Sequence, residues 1–149
     1  MKKLLSLVLV LSMALCFIGC AKETETTYVT EDSGIKMEIK LHAKGDAIKR
    51  IVQTFTYSLD EYSEEEKAIV AANVEQLADE YENIDGVTYT SNTTDNAISL
   101  CFDMDVSKKD TFKNLVEQDL LYVDRKDADY LSLKETKKGL ESEGFTEVK

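Results

Sequence analysis

Residues 35–42 read Ile-Lys-Met-Glu-Ile-Lys-Leu-His. Apolar Ile35, Met37, Ile39 and Leu41 alternate with polar Lys36, Glu38, Lys40 and His42. A period of two belongs to a β-strand, whose successive side chains point to opposite faces. One face of this strand is therefore apolar and the other wet, as in an antiparallel sheet covered on one side. Asp32-Ser33-Gly34 is a turn signal, and residues 28–31 before it read as a first strand. Lys44-Gly45-Asp46 marks the next turn, after which residues 48–59 resume extended character with many β-branched and aromatic side chains. The apolar phase slips near Ile51-Val52, which predicts a bulge or a strand partly covered on both faces.

A helix follows. Ser63 stands three residues before Glu66, a capping-box pair, and Glu64-Glu65-Glu66 lie at the positive end of the helix dipole. Ile69, Val70, Val74, Leu77, Tyr81 and Ile84 recur at helical spacing as one apolar stripe, and Gly86 stops it. A second hairpin runs from Val87-Thr88-Tyr89-Thr90 through a polar connection over residues 91–96 into residues 97–106. Its second arm puts Ile98, Leu100, Phe102, Met104 and Val106 on one face and Ser99, Cys101, Asp103 and Asp105 on the other. Phe112, Leu115, Val116 and Leu120 predict a helix over 110–121. Ser132 and Glu135 form a second capping-box pair for a helix over 133–142, ended by Gly144. Residues 145–148 either close a short strand or pack. The expected fold class is α+β: an antiparallel sheet from two β-hairpins with about three helices packed on it.

The N-terminus sets the compartment. Met1-Lys2-Lys3 precedes a run of apolar or small residues over 4–18. About 20 residues are needed to cross a bilayer, so this run is an export signal rather than a permanent span. Phe17 fits the small-residue position of an ordinary cleavage site badly. Phe17-Ile18-Gly19-Cys20 instead resembles the lipobox of bacterial lipoproteins, with Phe where Leu is commonest. That resemblance implies cleavage before Cys20 and a diacylglyceryl group on its sulfur; two acyl chains make attachment stable, at roughly 0.8 kcal/mol per buried methylene. The expected division is a signal over 1–19, lipidated Cys20 with a flexible tether over 20–27, and one domain over 28–149 (seven extended residues reach about 23–25 Å). Cys16 leaves with the signal and Cys20 is lipidated, so only Cys101 remains and no intramolecular disulfide is available.

The laid-out elements resemble the YehR-type small bacterial lipoproteins, a family classed as a domain of unknown function. The resemblance rests on the signal ending in Cys20, on Lys44-Gly45-Asp46, on Tyr81-Glu82-Asn83-Ile84-Asp85-Gly86-Val87, on Phe102-Asp103-Met104-Asp105, and on Gly144-Phe145-Thr146-Glu147-Val148-Lys149. It covers nearly the whole chain and implies an α+β lipoprotein domain. It implies no activity, cofactor or catalytic residue.

Charge narrows the partners. The chain carries 29 acidic against 18 basic side chains, a net of −11, and loss of Lys2 and Lys3 takes the exported part to −13. Such a surface repels nucleic acid and anionic headgroups. His42 is the single histidine and the only candidate base for a Ser-His-Asp arrangement, yet it sits on a polar strand face beside a turn. Zinc sites built from several His or Cys ligands are excluded by count. Asp103 and Asp105 share a strand face with Cys101 and are the weak candidates for a divalent cation, whose preferred ligands are oxygens. Cys101 has Asp103 as a neighbour, which disfavours a thiolate, so a buried inert thiol is expected. The seven tyrosines fall mostly at apolar-phase positions and are expected in the core or at its edge.

The reading that follows is a membrane-anchored extracytoplasmic lipoprotein of the bacterial cell envelope. It acts as a binding or interaction module without cofactor and meets the membrane through its lipid and an envelope protein as partner. The alternatives are a small-ligand or cation binder using Asp103/Asp105, or a small hydrolase using His42. Replacement of the anchor thiol, Cys20→Ser, is expected to move the protein from the membrane to the soluble fraction. Mass spectrometry of the unaltered chain should find a diacylated Cys20 as its first residue; an intact Met1 end would overturn the anchor.

Overall fold

The computed structural model of the chain describes residues 22–121, 123 and 128–148. The segment expected as an export signal, with Cys16 and Cys20, and Tyr122 lie outside the described residues, as does the side chain of Leu77. Among the described residues there are six strands, β1 (Glu23–Asp32), β2 (Ile35–Lys44), β3 (Ala47–Ser58), β4 (Val87–Thr93), β5 (Ala97–Asp105) and β6 (Thr146–Val148). Three helices, α1 (Glu64–Tyr81), α2 (Lys109–Glu117) and α3 (Leu133–Ser142), complete the α+β fold. The strands form one antiparallel sheet in the order β4-β5-β3-β2-β1-β6.

The alternation of residues 35–42 does what a period of two requires. Ile39, Leu41 and Ala43 are buried, and Met37 packs against them. Lys36, Glu38, Lys40 and His42 face the other way, and none of them is buried. Register extends this division across the sheet: Leu41 stands opposite Ile51, and Ile51 opposite Met104. The helices cover the apolar face in two halves. Phe112 and Leu115 of α2 and Leu140 of α3 pack with Tyr28, Ile39, Leu41, Ile48 and Ile51. Val74 of α1 packs with Leu59, Ile98 and Leu100.

The phase slip in β3 has a definite origin. His42 pairs with Arg50 but Ala43 pairs with Ile48, so Lys49 is an extra residue, a β-bulge. The bulge returns Ile48, fully buried, to the face that holds Ile51. The bulge therefore lies two residues earlier than the sequence pattern indicated. The Lys49 carbonyl accepts the Val106 N–H at 3.0 Å, which ties the bulge to the end of β5.

The β1–β2 turn is Ser33-Gly34, with φ of 52° and 78°. Two consecutive left-handed residues fit the twist of a tight hairpin. Residues 23–27, expected in the tether, instead form the first half of β1: β2 runs on to Lys44 and pairs it with Glu23. Thr24, Thr26 and Thr27 suit a strand, and composition alone did not show that a partner lay beside them. At the other end β6 joins the outer side of β1, so residues 145–148 do close as a strand, behind the buried Phe145. Tyr28, fully buried, sends its hydroxyl to Glu141 (3.3 Å) and Glu147 (3.2 Å), while Lys137 pairs with Glu147 at 3.1 Å.

In α1, Ser63 and Glu66 form the reciprocal capping box. The apolar stripe is narrower than expected. Val70, Val74 and Tyr81 face the sheet, whereas Ile69 is 58% exposed, because one residue turns the helix by about 100°. Gly86 follows at φ +82°, and a Cβ there would stand 2.1 Å from Thr111 Cγ2, so the chain passes too close to α2 for any side chain.

The second expected capping box is only half made. Ser132 Oγ accepts the Glu135 N–H at 3.2 Å, but Glu135 itself turns toward Lys138. Other groups at the helix start are met from the β2–β3 turn: Asp46 accepts the Lys134 N–H at 2.9 Å and the Ser132 hydroxyl at 2.8 Å. The Asp46 carbonyl also accepts the Leu133 N–H at 2.7 Å. Ser132 is the N-cap of α3, and the β2–β3 turn supplies further acceptors to the first turn of the helix.

The hydrogen bond from the Lys134 backbone, then that from Ser132, holds the Asp46 carboxyl below its ordinary value. A depressed native pKa means that the associated stability is complete above the unfolded pKa of about 3.8 and is lost as pH falls through the native value. Asp46→Ala should cost about 1 kcal/mol at neutral pH, the usual loss for a cap. Asp46→Asn should keep part of the cap and flatten the acid limb of stability below pH 4. Urea melts at several pH values measure both, and an unchanged acid limb would show that the cap is dispensable.

Candidate functional site

Between the two halves of the core the helices part. There β3 and β5 floor an apolar groove of about 260 Å³. Gln53, Phe55 and Tyr57 come from β3 and Leu100, Phe102 and Met104 from β5. Tyr81, the last residue of α1, and Leu120, just after α2, form its walls. Alternation puts all six floor residues on the helical face, since Gln53 pairs with Phe102 and Phe55 with Leu100.

The aromatic side chains lock one another. Phe102 meets Tyr81 edge-on at 4.9 Å between centroids and Tyr89 at 5.1 Å; Phe55 meets Phe102 edge-on at 6.0 Å. Such arrangements follow the ring quadrupoles. Tyr89 Oη donates to the Val74 carbonyl at 3.3 Å, which fixes α1 against β4. Burial raises the Tyr89 pKa, so it is a neutral hydroxyl at physiological pH. The groove is thus an apolar concavity with one amide, Gln53, among its lining side chains.

The residues singled out in the sequence lie elsewhere. Cys101, Asp103 and Asp105 do share one face, as their spacing requires, and it is the open face of the sheet. Cys101 lies there between Thr54 and Thr90 and is half-buried, not enclosed in the core, because no helix covers that side of β5 among the described residues. Asp103 is engaged by Arg50: Nε donates to Oδ1 at 2.7 Å and Nη2 to Oδ2. This fork raises the guanidinium pKa further. Asp105 accepts from Ser107, whose hydrogen bonds lower its pKa. Among the described residues no group of three or more His, Cys, Asp or Glu is placed to hold a metal ion. His42 Nδ1 stands 3.3 Å from Glu25 Oε2, in a recess of about 410 Å³ shared with Lys44 and Lys49. The structure brings His42 to neither Cys101 nor the groove.

The tyrosines divide. Tyr28 is fully buried, Tyr57, Tyr81 and Tyr89 are half-buried around the groove, and Tyr62 and Tyr130 are exposed. Gln53 was the one legible sign of the groove, a polar residue in the apolar phase of β3. Arg50 as partner of Asp103 was not legible, because the two are joined only through the β3–β5 register.

Residues 23–146 match the family described as "Protein of unknown function (DUF1307)". The fold is shared with the E. coli YehR protein, solved by NMR, at a TM-score of 0.67 and 20% identity over 87% of this chain and 93% of that one. A protein from Streptococcus pneumoniae TIGR4 shares it at a TM-score of 0.53 and 13% identity, over 85% of this chain and 86% of that one. No curated protein matches the chain.

If Arg50 is what neutralises Asp103, freeing it should open the acidic pair to cations. Millimolar Ca²⁺, Mg²⁺ or Mn²⁺ is then expected to raise the melting temperature of Arg50→Ala more than that of the unaltered chain. Equal shifts in the two, or in Asp103→Ala/Asp105→Ala, would show that these carboxylates hold no ion.

Proposed function

The chain belongs to the DUF1307 family, and we propose that it is a membrane-anchored extracytoplasmic binding module rather than an enzyme, with the groove between α1 and α2 as its ligand site. The observation that carries this is the lining: half-buried Phe55, Tyr57, Tyr81 and Phe102 share the groove with the single amide of Gln53. Ligand sites combine an apolar wall with a few polar groups that set orientation. The occupant such a site favours is a small molecule with an aromatic or aliphatic body and one amide- or hydroxyl-type group for Gln53. A net charge of −11 weighs against an anionic ligand. The lipobox-like Phe17-Ile18-Gly19-Cys20 supports the anchored, extracytoplasmic setting.

The test is an NMR titration of the full chain with small aromatic amides, phenols and the matching hydrocarbons. Perturbations should cluster at Gln53, Phe55, Tyr81 and Phe102. Gln53→Leu should weaken the amides roughly tenfold, the worth of one hydrogen bond, and leave the hydrocarbons unchanged. Perturbations scattered over the surface, or amide binding indifferent to Gln53, would sink the reading.

A further inference from the structure

The two edges of the sheet are built differently. At one edge β6 is three residues long and carries Glu147, which pairs with Lys137. The parts of β1 that extend past it hold Glu23, Glu25, Glu31 and Asp32. Short strands and charges are the usual means of keeping an edge from pairing with another chain. At the other edge β4 reads Val-Thr-Tyr-Thr-Ser-Asn-Thr, seven residues without a charge, a proline or a bulge. This is unexpected in a chain of which 32% is charged. Among the described residues no strand pairs on the outer side of β4.

The register shows which backbone groups are free. Asp105 N–H donates to the Gly86 carbonyl and Thr94 N–H to the Ala97 carbonyl, and the pairing between them is uninterrupted. The even-numbered residues of β4 therefore bond to β5. Tyr89, Ser91 and Thr93 direct their N–H and C=O groups outward. The Val87 N–H is already taken by the Ile84 carbonyl. Three consecutive outward positions are thus available to an added strand.

Charge selects what adds. Helix α1 packs on β4 through the Tyr89–Val74 hydrogen bond and carries six carboxylates against one lysine. Asp85 and Asp95 flank the strand at its two ends. A second copy of this chain would bring a second acidic α1 to the seam. A cationic strand would meet complementary charge there instead.

We propose that the β4 edge is a strand-addition site for an extended basic segment of a partner protein, hydrogen-bonded to Tyr89, Ser91 and Thr93. This site is separate from the groove, and either can exist without the other.

The test uses the full chain in detergent micelles and fluorescence anisotropy of labelled heptapeptides. One peptide alternates valine and lysine, one alternates valine and glutamate, and one is the lysine peptide with alternate amides N-methylated, which removes donors without changing charge. The lysine peptide should bind, the glutamate peptide should not, and N-methylation should weaken binding at least tenfold. Ser91→Pro removes one outward N–H while leaving the bonds to β5, and should weaken the lysine peptide similarly. Should circular dichroism show that this variant is unfolded, Ser91→Lys/Thr93→Lys tests the same edge through charge. Absence of binding overturns the proposal. So does equal binding of the N-methylated peptide, which would mean charge attraction alone. A peptide-free chain that sediments as a dimer split by Ser91→Pro would give the edge to a second copy, and overturns it too.

Discussion

The fold depends on keeping the apolar side chains of neighbouring strands on one face of the sheet. A strand alternates strictly, so two core residues three apart, such as Ile48 and Ile51, cannot both face inward on a regular strand. The extra residue Lys49 resolves the conflict by letting Ala43 pair with Ile48 while His42 pairs with Arg50. With that phase restored, β2, β3 and β5 present one continuous apolar surface, and the helices have a single place to dock. The opposite face is left polar, with Cys101, Asp103 and His42 on it.

Docking is made specific by polar contacts across long sequence separations. Asp46 in the β2–β3 turn caps α3, and Tyr28 of β1 reaches Glu141 at the end of that helix and Glu147 of β6. Both sets of contacts gather the C-terminal third of the chain onto the first hairpin. A charged cap and a buried phenol constrain direction in a way that apolar contact does not. The far half of the sheet is held differently, by the Phe55, Phe102, Tyr81 and Tyr89 rings under α1. The groove lies where these two modes of packing meet.

Much of the fold was legible because it is local. The alternation of Ile35 to Leu41, the Ser63/Glu66 box and the glycine turns each depend on a few adjacent residues. What was misjudged depends on partners. The threonines of residues 23–27 looked like a tether until β2 supplied a strand to pair with. Glu135 looked like half a capping box, but it pairs with Lys138, and Asp46 from the β2–β3 turn meets the Lys134 N–H instead. Ile69 has the right residue type for the stripe and the wrong angle. The site was less legible than the fold: Gln53 breaks the apolar phase of β3, but only the departure of α1 from α2 turns that break into a cavity.

The sequence by itself determined the α+β class, the one-sided sheet and the acidic surface, because periodicity, composition and short motifs act over a few residues. Tertiary structure alone decided the strand order, the Arg50–Asp103 pair, the capping of α3 by Asp46, the groove, and which edge of the sheet is left unguarded. Each of these joins residues tens of positions apart, and their meeting is fixed by strand register and helix docking, which no local pattern encodes.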